Sequence, residues 1–351
     1  NYLPALMRAL TLRQLGGIQH LAVRDVPEPT LTRPDDVLVR VRAAALNHLD
    51  LFVVDGLPGV KYVFPHIMGG DGAGTVEQVG SQVAAFRPGD RVMINPGISC
   101  YRCDPCLSGE HSLCETYRLL GEHMPGTAAE LIVVPAVNLG LMPEGMSWAQ
   151  GAAFSLATLT AWRMLMTRAK LRPGETVLIW GIGGGVGQAA LQIAKLAGAR
   201  VFVTSSSDEK LARARQLGAD ETFNHATGDI PAEVRRITLK RGVEVVLDSV
   251  GEQTWERSVR CLGRAGRLVT CGGTSGPMVV TDVRKLFWYQ YSILGSTMGN
   301  HQEYQEIVRL AGRGKLWPVV DEVYPLDAAV AAFSRLGQAR QFGKLVLEVA
   351  K

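Results

Sequence analysis

The sequence predicts an α/β protein built from two domains, one rich in β-strands and one a doubly wound parallel sheet. Three observations carry that expectation. The first 150 residues hold short alternating apolar runs separated by Pro/Gly/Asp turns. From Arg172-Pro173-Gly174 onward, short apolar strands alternate with helical segments. A glycine-rich turn joins the first of those strands to the first of those helices.

Size and composition fit this picture. A chain of 351 residues is long enough for two cores. Its 47% hydrophobic and 20% charged residues are ordinary for a globular protein, and 39 glycines suit a fold with many tight turns. A net charge of +4 without basic runs argues against nucleic acid as a partner. No run of 18 apolar residues exists, so neither a span nor a membrane partner is expected, and a cytoplasmic location is. Asn1–Leu6 lack the basic and apolar regions of a signal peptide, and Met7 reads as the native start after six upstream residues. The six cysteines therefore do not read as a disulfide framework.

In chain order, Val37–Ala43, Gly74–Val79 and Arg91–Ile94 read as strands, set off by turns such as Pro34-Asp35-Asp36 and Pro88-Gly89-Asp90. Trp148–Ala169 is apolar with little charge and reads as one buried helix. Thr176–Trp180 is the first strand of the parallel sheet, and a helix through Leu196 follows its glycine turn. Val201–Thr204, Val243–Asp248, Arg267–Cys271 and Ile293–Ser296 continue the strand series, and Asp208–Leu217 is the next helix. Past Pro318 an Ala-rich helix and the strand Lys344–Val349 close the chain onto the first domain. The expected domains are residues 7–150 with 300–351, and residues 151–299. Cys261 and Cys271, in a predicted helix and strand, read as small buried apolar residues.

The turn Gly181-Ile182-Gly183-Gly184-Gly185-Val186-Gly187 lets the backbone approach a pyrophosphate without Cβ clashes, and the helix that follows offers free N–H groups and a positive dipole end. Gly181, Gly184, Gly185, Val186 and Gly187 are thus candidate cofactor contacts, and Gly272, past the strand Arg267–Cys271, joins them. Nicotinamide folds that take NAD usually place an acid at the end of the second strand to hold the ribose hydroxyls. Ser205 holds that place and leaves room for a 2′-phosphate. Ser206 and Glu209 read as a capping box for the next helix. Lys210, in that helix's first turn, opposes the dipole, either as a solvated surface lysine or as a phosphate contact. NADP(H) is expected over NAD.

Four cysteines, Cys100, Cys103, Cys106 and Cys114, follow the spacing C-x2-C-x2-C-x7-C, which a tight loop can wrap around one tetrahedral zinc.

Nearly the whole chain resembles the medium-chain dehydrogenase/reductase family. The resemblance rests on Asn47-His48-Leu49-Asp50, Gly69-Gly70-Asp71-Gly72-Ala73-Gly74, the cysteine lobe, the glycine turn (which is similar to that of the quinone and enone reductase branch) and Gly343-Lys344-Leu345-Val346-Leu347. It implies a GroES-like β-rich catalytic domain made from both chain ends and a central Rossmann domain, with the cysteine lobe a closed structural zinc site. It also implies that the nicotinamide lies in a cleft between the domains, that a lysine placed like Lys210 meets the NADP phosphate, and that the protein is a homodimer or homotetramer. In zinc-dependent members three residues hold a catalytic metal. The matching places here are Asn47, Gly70 and Leu156, none of which suits tetrahedral zinc.

The resemblance therefore implies hydride transfer to or from a small carbonyl, conjugated carbonyl (enone or quinone) or alcohol without a standard catalytic zinc. Asn47 would hydrogen-bond the substrate oxygen, Asp50 would orient a neighbour, and Asp71 takes the place of the metal-adjacent acid. His48 and His123 are candidate proton donors. With Asp71 they are alternatively ligands of a relocated metal, and His48 alternatively binds the pyrophosphate. A third alternative is a dinucleotide-binding protein without catalysis. His20, His66, His111, His225 and His301 have no assignable partner in the sequence.

Overall fold

The computed structural model describes residues 5–350, so most of the upstream segment set apart above lies outside the described residues. Two compact units result. One runs to Ala157 and resumes at Gly299; the other is Thr158–Met298.

The first unit is organised by a mixed sheet in the spatial order Leu139–Leu141, Arg91–Ile94, Asp71–Val79, Asp36–Ala45, Lys344–Glu348, Val320–Pro325, with Leu131–Pro135 also pairing with Asp36–Ala45. β-branched and alanine residues dominate its central strands, and Val37, Val39, Val41 and Ala45 are fully buried. Its registers bring distant segments together. Ala45 stands opposite Asp71 on one side and Val346 on the other. The amide of Leu46 donates to the Leu345 carbonyl at 2.9 Å. Asn47, Asp71 and Lys344, far apart in the chain, are thereby delivered to one end of the sheet. Two strands with no clear signal in the sequence, Leu6–Leu12 and Leu21–Pro27, pair antiparallel beside it.

The second unit carries six parallel strands in the order Glu221–Asn224, Arg200–Ser205, Thr176–Ile179, Val243–Asp248, Leu262–Thr270, Ser292–Gly295. In sequence order this is 3-2-1-4-5-6, the doubly wound dinucleotide arrangement. Leu178, Phe202, Val246 and Leu268 fill its core, and Trp180, just past the first strand, is 1% exposed.

Three expectations need correction. The helix foreseen over Trp148–Ala169 is three pieces: Trp148–Ala152, Ser155–Trp162 and a π-helical turn, Arg163–Arg168. Its first piece ends because the Ala153 amide closes a turn on Ala149 and Gly151, with Ala153 as the cap. The cap of the helix Asp208–Gln216 is Ser207, whose hydroxyl accepts from the Lys210 amide; Ser206 is exposed and the Ser206/Glu209 box does not form. Cys271 lies one residue past the end of its strand, at Thr270, and is half-buried. Among the described residues, no helix is long and apolar enough to cross a membrane.

Candidate functional site

The cysteine lobe is a loop closed at its base by a two-strand ladder, Gly97–Ile98 against Arg118–Leu119. The four Sγ atoms all lie within 4.8 Å of one another, and Cys100 and Cys106 are 4.0 Å apart. Tetrahedral Zn–S bonds of about 2.3 Å require sulfurs about 3.8 Å apart, so the cage fits one zinc. None of the six cysteines forms a disulfide. Backbone amides of Arg102 and Cys103 hold the Cys100 thiol down at about 6, whereas burial pushes Cys106 up to about 12. For Cys114, burial acts upward but is outweighed by the Cys100 amide and Thr116, and the net shift is downward. The loop thus aims N–H groups at sulfur, as a thiolate cage requires. Among the described residues this is the one group of three or more His, Cys, Asp or Glu with such convergence.

The second cluster is the buried end of the first unit's sheet. Asp71 is fully buried, and Lys344, Asn47 and Asp50 are 4%, 8% and 2% exposed. The Lys344 ammonium donates to Asp71 Oδ2 at 2.9 Å and to Asn47 Oδ1. Asn47 Nδ2 donates to Asp71 Oδ2 at 3.0 Å, while the Leu156 amide donates to Asp71 Oδ1 at 2.8 Å. The lysine fixes which end of the Asn47 amide is oxygen. One N–H of Asn47 is thereby spoken for by Asp71, and the nearest acceptor left to the amide is the Ala45 carbonyl at 3.5 Å. Asp50 Oδ2 accepts the Asn47 backbone N–H at 2.7 Å, its half of the capping box that starts the helix His48–Asp55 at Asn47. Burial pushes its carboxyl up to about 7; the Asn47 amide and Lys344 act downward, and Asp71 acts upward.

The three places that the resemblance matches to zinc ligands do converge here. Asp71 touches both Asn47 and the Leu156 amide, and a Cβ on Gly70 would meet Leu156 Cδ1 at 3.3 Å. The leucine side chain occupies that space. Lys344 is the residue that sequence reasoning missed. It was legible only as part of a closing motif, because nothing local marks it as the partner of residues 273 and 297 positions away.

The histidines do not join this network. His48 opens the helix His48–Asp55 with its ring edge-on to Phe52 at 5.0 Å. The residue is exposed overall, yet partial burial holds its pKa below the usual histidine value. His123 accepts from the Leu119 amide at 3.2 Å through Nδ1 and faces the Glu122 carboxylate at 3.6 Å through Nε2. Burial raises the Glu122 carboxyl, and His123 opposes the rise. Asp71, His48 and His123 do not form a metal-sized set, since the cysteine group alone meets that geometry. Several histidines left without partners by the sequence have them: His66 Nε2 lies 2.9 Å from the Gly121 carbonyl, and His225 Nδ1 lies 3.2 Å from Thr204 Oγ1.

In the second unit, Gly181 has φ of 72° and its amide donates to Thr204 Oγ1 at 3.3 Å. A Cβ on Gly187 would meet the Gly181 carbonyl at 2.8 Å, so packing of the turn demands that glycine. Gly184 and Gly272 differ. A Cβ there would find protein only at 3.8 and 4.0 Å. The fold does not require glycine at either place, which leaves a cradle a Cβ would partly fill. First-turn amides of Gly185, Val186 and Gly187 have no acceptor within their helix, so the turn fits a pyrophosphate. Ser205 ends its strand, is 5% exposed and accepts from the Ser207 amide at 3.1 Å. Nearby, His225 donates its amide to the Ser205 carbonyl, and Arg257 lies over the Trp180 ring at 4.9 Å.

Residues 33–144 match the alcohol dehydrogenase GroES-like domain, and residues 185–313 match the zinc-binding dehydrogenase domain. A zinc-type alcohol dehydrogenase-like protein of Schizosaccharomyces pombe is 32% identical over 98% of this chain and 99% of its own length. A quinone oxidoreductase of Pseudomonas aeruginosa is 33% identical over 95% of this chain and 96% of its own. A crystal structure of an NAD-dependent alcohol dehydrogenase is 46% identical with a TM-score of 0.95, covering 98% of this chain and all of that one.

Two predictions follow from this geometry. Cys106→Ser should lose the zinc, measured by mass spectrometry as one ion per chain in the parent, and lower Tm by at least about 5 °C, because metal binding and loop ordering are coupled. Unchanged metal content would refute the cage. The second concerns Asp50. Its carboxyl is raised in the folded state above an unfolded value near 3.9, so its contribution to stability is full below about pH 4 and is lost as pH rises through about 7. Asp50→Asn should flatten that fall, by roughly 4 kcal/mol at most, in denaturant titrations between pH 4 and 8. Parallel pH curves for parent and variant would show that Asp50 ionises normally.

Proposed function

This chain belongs to the medium-chain dehydrogenase/reductase family, and we propose that it transfers hydride between NADP(H) and a small carbonyl or conjugated carbonyl compound without a catalytic zinc. It is a nicotinamide-dependent oxidoreductase. The observation that carries the proposed mechanism is the Asn47–Lys344–Asp71 cluster, where a polarised amide and an ammonium stand in the place of a Lewis acid.

The cofactor, when bound, supplies or accepts the hydride. The residues of the chain do the rest. Gly184, Gly185, Val186 and Gly187 receive the pyrophosphate on a helix N-terminus, with Gly181 shaping the turn and Gly272 leaving room beside it. Asn47, held by Lys344 at its oxygen and by Asp71 at one N–H, offers its remaining N–H to the substrate oxygen. In a cluster this buried, a donor aimed where negative charge develops has large leverage. Asp71 fixes Asn47 and the turn at Leu156, and Asp50 completes the capping box of the helix that presents His48. In carbonyl reduction the hydride goes to carbon and a proton to oxygen. His48, whose imidazolium form burial disfavours, and His123, paired with Glu122, are the proton-handling candidates. The four cysteines hold a structural zinc that takes no part in this step.

Support for NADP(H) is local. Ser205 carries no charge to repel a 2′-phosphate, and Ser206 is exposed beside it. Arg257 and the first-turn Lys210 add positive charge on that side of the turn. The name of the 46% identical structure specifies NAD, so the cofactor pair is the first quantity to measure. Self-association is proposed as well. The parallel sheet ends on Ser292–Gly295, and Val280, Val283, Phe287 and Trp288 near it are exposed by 90%, 64%, 65% and 67%, an apolar surface that a second copy would cover. Light scattering after size exclusion reads the number of copies.

NADPH should bind more tightly than NADH, and Ser205→Asp should reverse that order by adding like-charge repulsion and a ribose acceptor. Equal dissociation constants in the parent defeat the NADP assignment.

Turnover of enones, quinones and aldehydes should fall on the order of 100-fold in Asn47→Ala, with Tm recorded alongside to separate chemistry from folding. One zinc per chain in fully active protein supports this mechanism. Two zincs per chain, with activity lost on removing one while the cysteine cage stays filled, would move the assignment to a relocated metal. Absence of turnover with tight NADPH binding would point to a binding protein.

A further inference from the structure

The second unit has a cavity of about 810 Å³ lined by no residue of the glycine turn. Its walls come from the segments that enter the strands Val243–Asp248, Leu262–Thr270 and Ser292–Gly295. It therefore lies at the amino edge of the parallel sheet, the edge opposite the glycine turn. Six cations line it, Arg235, Lys240, Arg241, Arg260, Arg264 and Lys285, against the single carboxylate of Glu244. That local excess is larger than the +4 of the whole chain.

The cations divide into two kinds. Arg235 is structural: it donates to the carbonyls of Lys240, Arg260 and Leu262. Arg241 donates to the Thr238 carbonyl at 3.3 Å. Lys240, Arg260, Arg264 and Lys285 form no ion pair among the described residues. The acids near them are engaged elsewhere: Glu244 accepts the Thr176 amide at 2.7 Å, and Asp282, close enough to feel the charge of Lys285, pairs with Arg284 at 3.0 Å. A surface lysine or arginine alone is ordinary. Four without ion pairs around one concavity repel one another, and an anion relieves that repulsion.

Two further observations shape the ligand. Tyr289 and Tyr291 stack at 5.5 Å in the wall, and the Arg264 guanidinium lies 5.2 Å from the Tyr289 ring centre. With the exposed Leu239 they offer an apolar and aromatic surface next to the charges. The backbone is also held in an unusual way. Of the eight non-glycine residues with positive φ among those described, Leu239, Lys240, Ala265 and Gln290 lie in or beside this wall. Such conformations persist where surrounding structure enforces them, and they gather at functional sites.

We propose that this cavity binds a small ring-bearing phosphate compound of the nucleotide class, at a site separate from the dinucleotide turn. The phosphates would meet Lys240, Arg260, Arg264 and Lys285, and the ring would lie on the tyrosine wall. The volume lies within the range of small-molecule sites.

Calorimetry on the zinc-loaded protein carrying one equivalent of NADPH tests this, with adenosine 5′-diphosphate and inorganic pyrophosphate as probes. Fluorescence of the bound NADPH reports whether the cofactor is displaced. The expected result is one saturable diphosphate site per chain, tighter for the nucleotide than for pyrophosphate, with NADPH fluorescence unchanged. The double variant Lys240→Gln/Arg264→Gln should weaken it by about tenfold or more while Tm and NADPH binding stay at parent values. Absence of saturable binding overturns the proposal. So does equal binding in parent and variant, equal affinity for the two probes, or binding that merely displaces NADPH.

Discussion

The first unit depends on one buried ion pair. Lys344 and Asp71 meet at 2.9 Å with side chains 5% and 0% exposed, where an unpartnered charge is prohibitive. Each must therefore find the other, and the sheet registers are what make that possible. Ala45 paired with both Asp71 and Val346 places the last strand and the strand after Gly70 on either side of one scaffold strand. A register slip of one residue would turn either charge to the opposite face of the sheet. The pair thus gives the fold a specificity that hydrophobic burial alone does not, and it holds Asn47 between two charged groups as a consequence.

Charge counting explains the state of Asp50. The cluster holds two carboxylates and one ammonium. Lys344 bonds directly to Asp71, so the second carboxylate has only backbone N–H groups and the unbonded charge of Lys344 for support. Its burial is then compensated incompletely, and its proton affinity rises to about 7. Asparagine, glycine and leucine stand at the three places that the resemblance matches to zinc ligands, and the cluster found there sets two carboxylates against one lysine. The substitutions form a consistent set: Leu156 fills space beside Gly70, and its amide is still bound by Asp71.

Legibility in the sequence follows the range of the interaction. The cysteine cage was readable because four ligands fall within fifteen residues and zinc geometry restricts their spacing. The parallel sheet was readable because each strand and its helix form a local unit, and Ser205 does end the second strand as counted. Asn47, Asp50 and Asp71 were singled out by motif, but their partner Lys344 required the register of a strand from the far end of the chain. The Trp148–Ala169 segment failed differently. Its composition is helical throughout, and the break at Ala153 depends on a cap closing a turn that no single residue announces. The capping serine was displaced by one because Ser206 and Ser207 are equivalent in sequence, and only backbone geometry chooses between them.

The parallel sheet has two edges with different chemistry. At its carboxyl edge the receptive groups are backbone amides, so glycine content carries the signal. At its amino edge the positive charge comes from side chains, and their convergence depends on turns from three separate crossovers. Lys240 precedes the strand Val243–Asp248, Arg264 lies near the start of Leu262–Thr270 and Lys285 in the helix Val283–Trp288, so no sequence window contains the cluster. Backbone amides persist through most substitutions, whereas a side-chain cluster can be gained or lost residue by residue while the fold stays intact. The walls at the amino edge carry no part of the glycine turn, and although Val259 and Leu262 in them also belong to the core, the charged side chains there are free to vary without touching it.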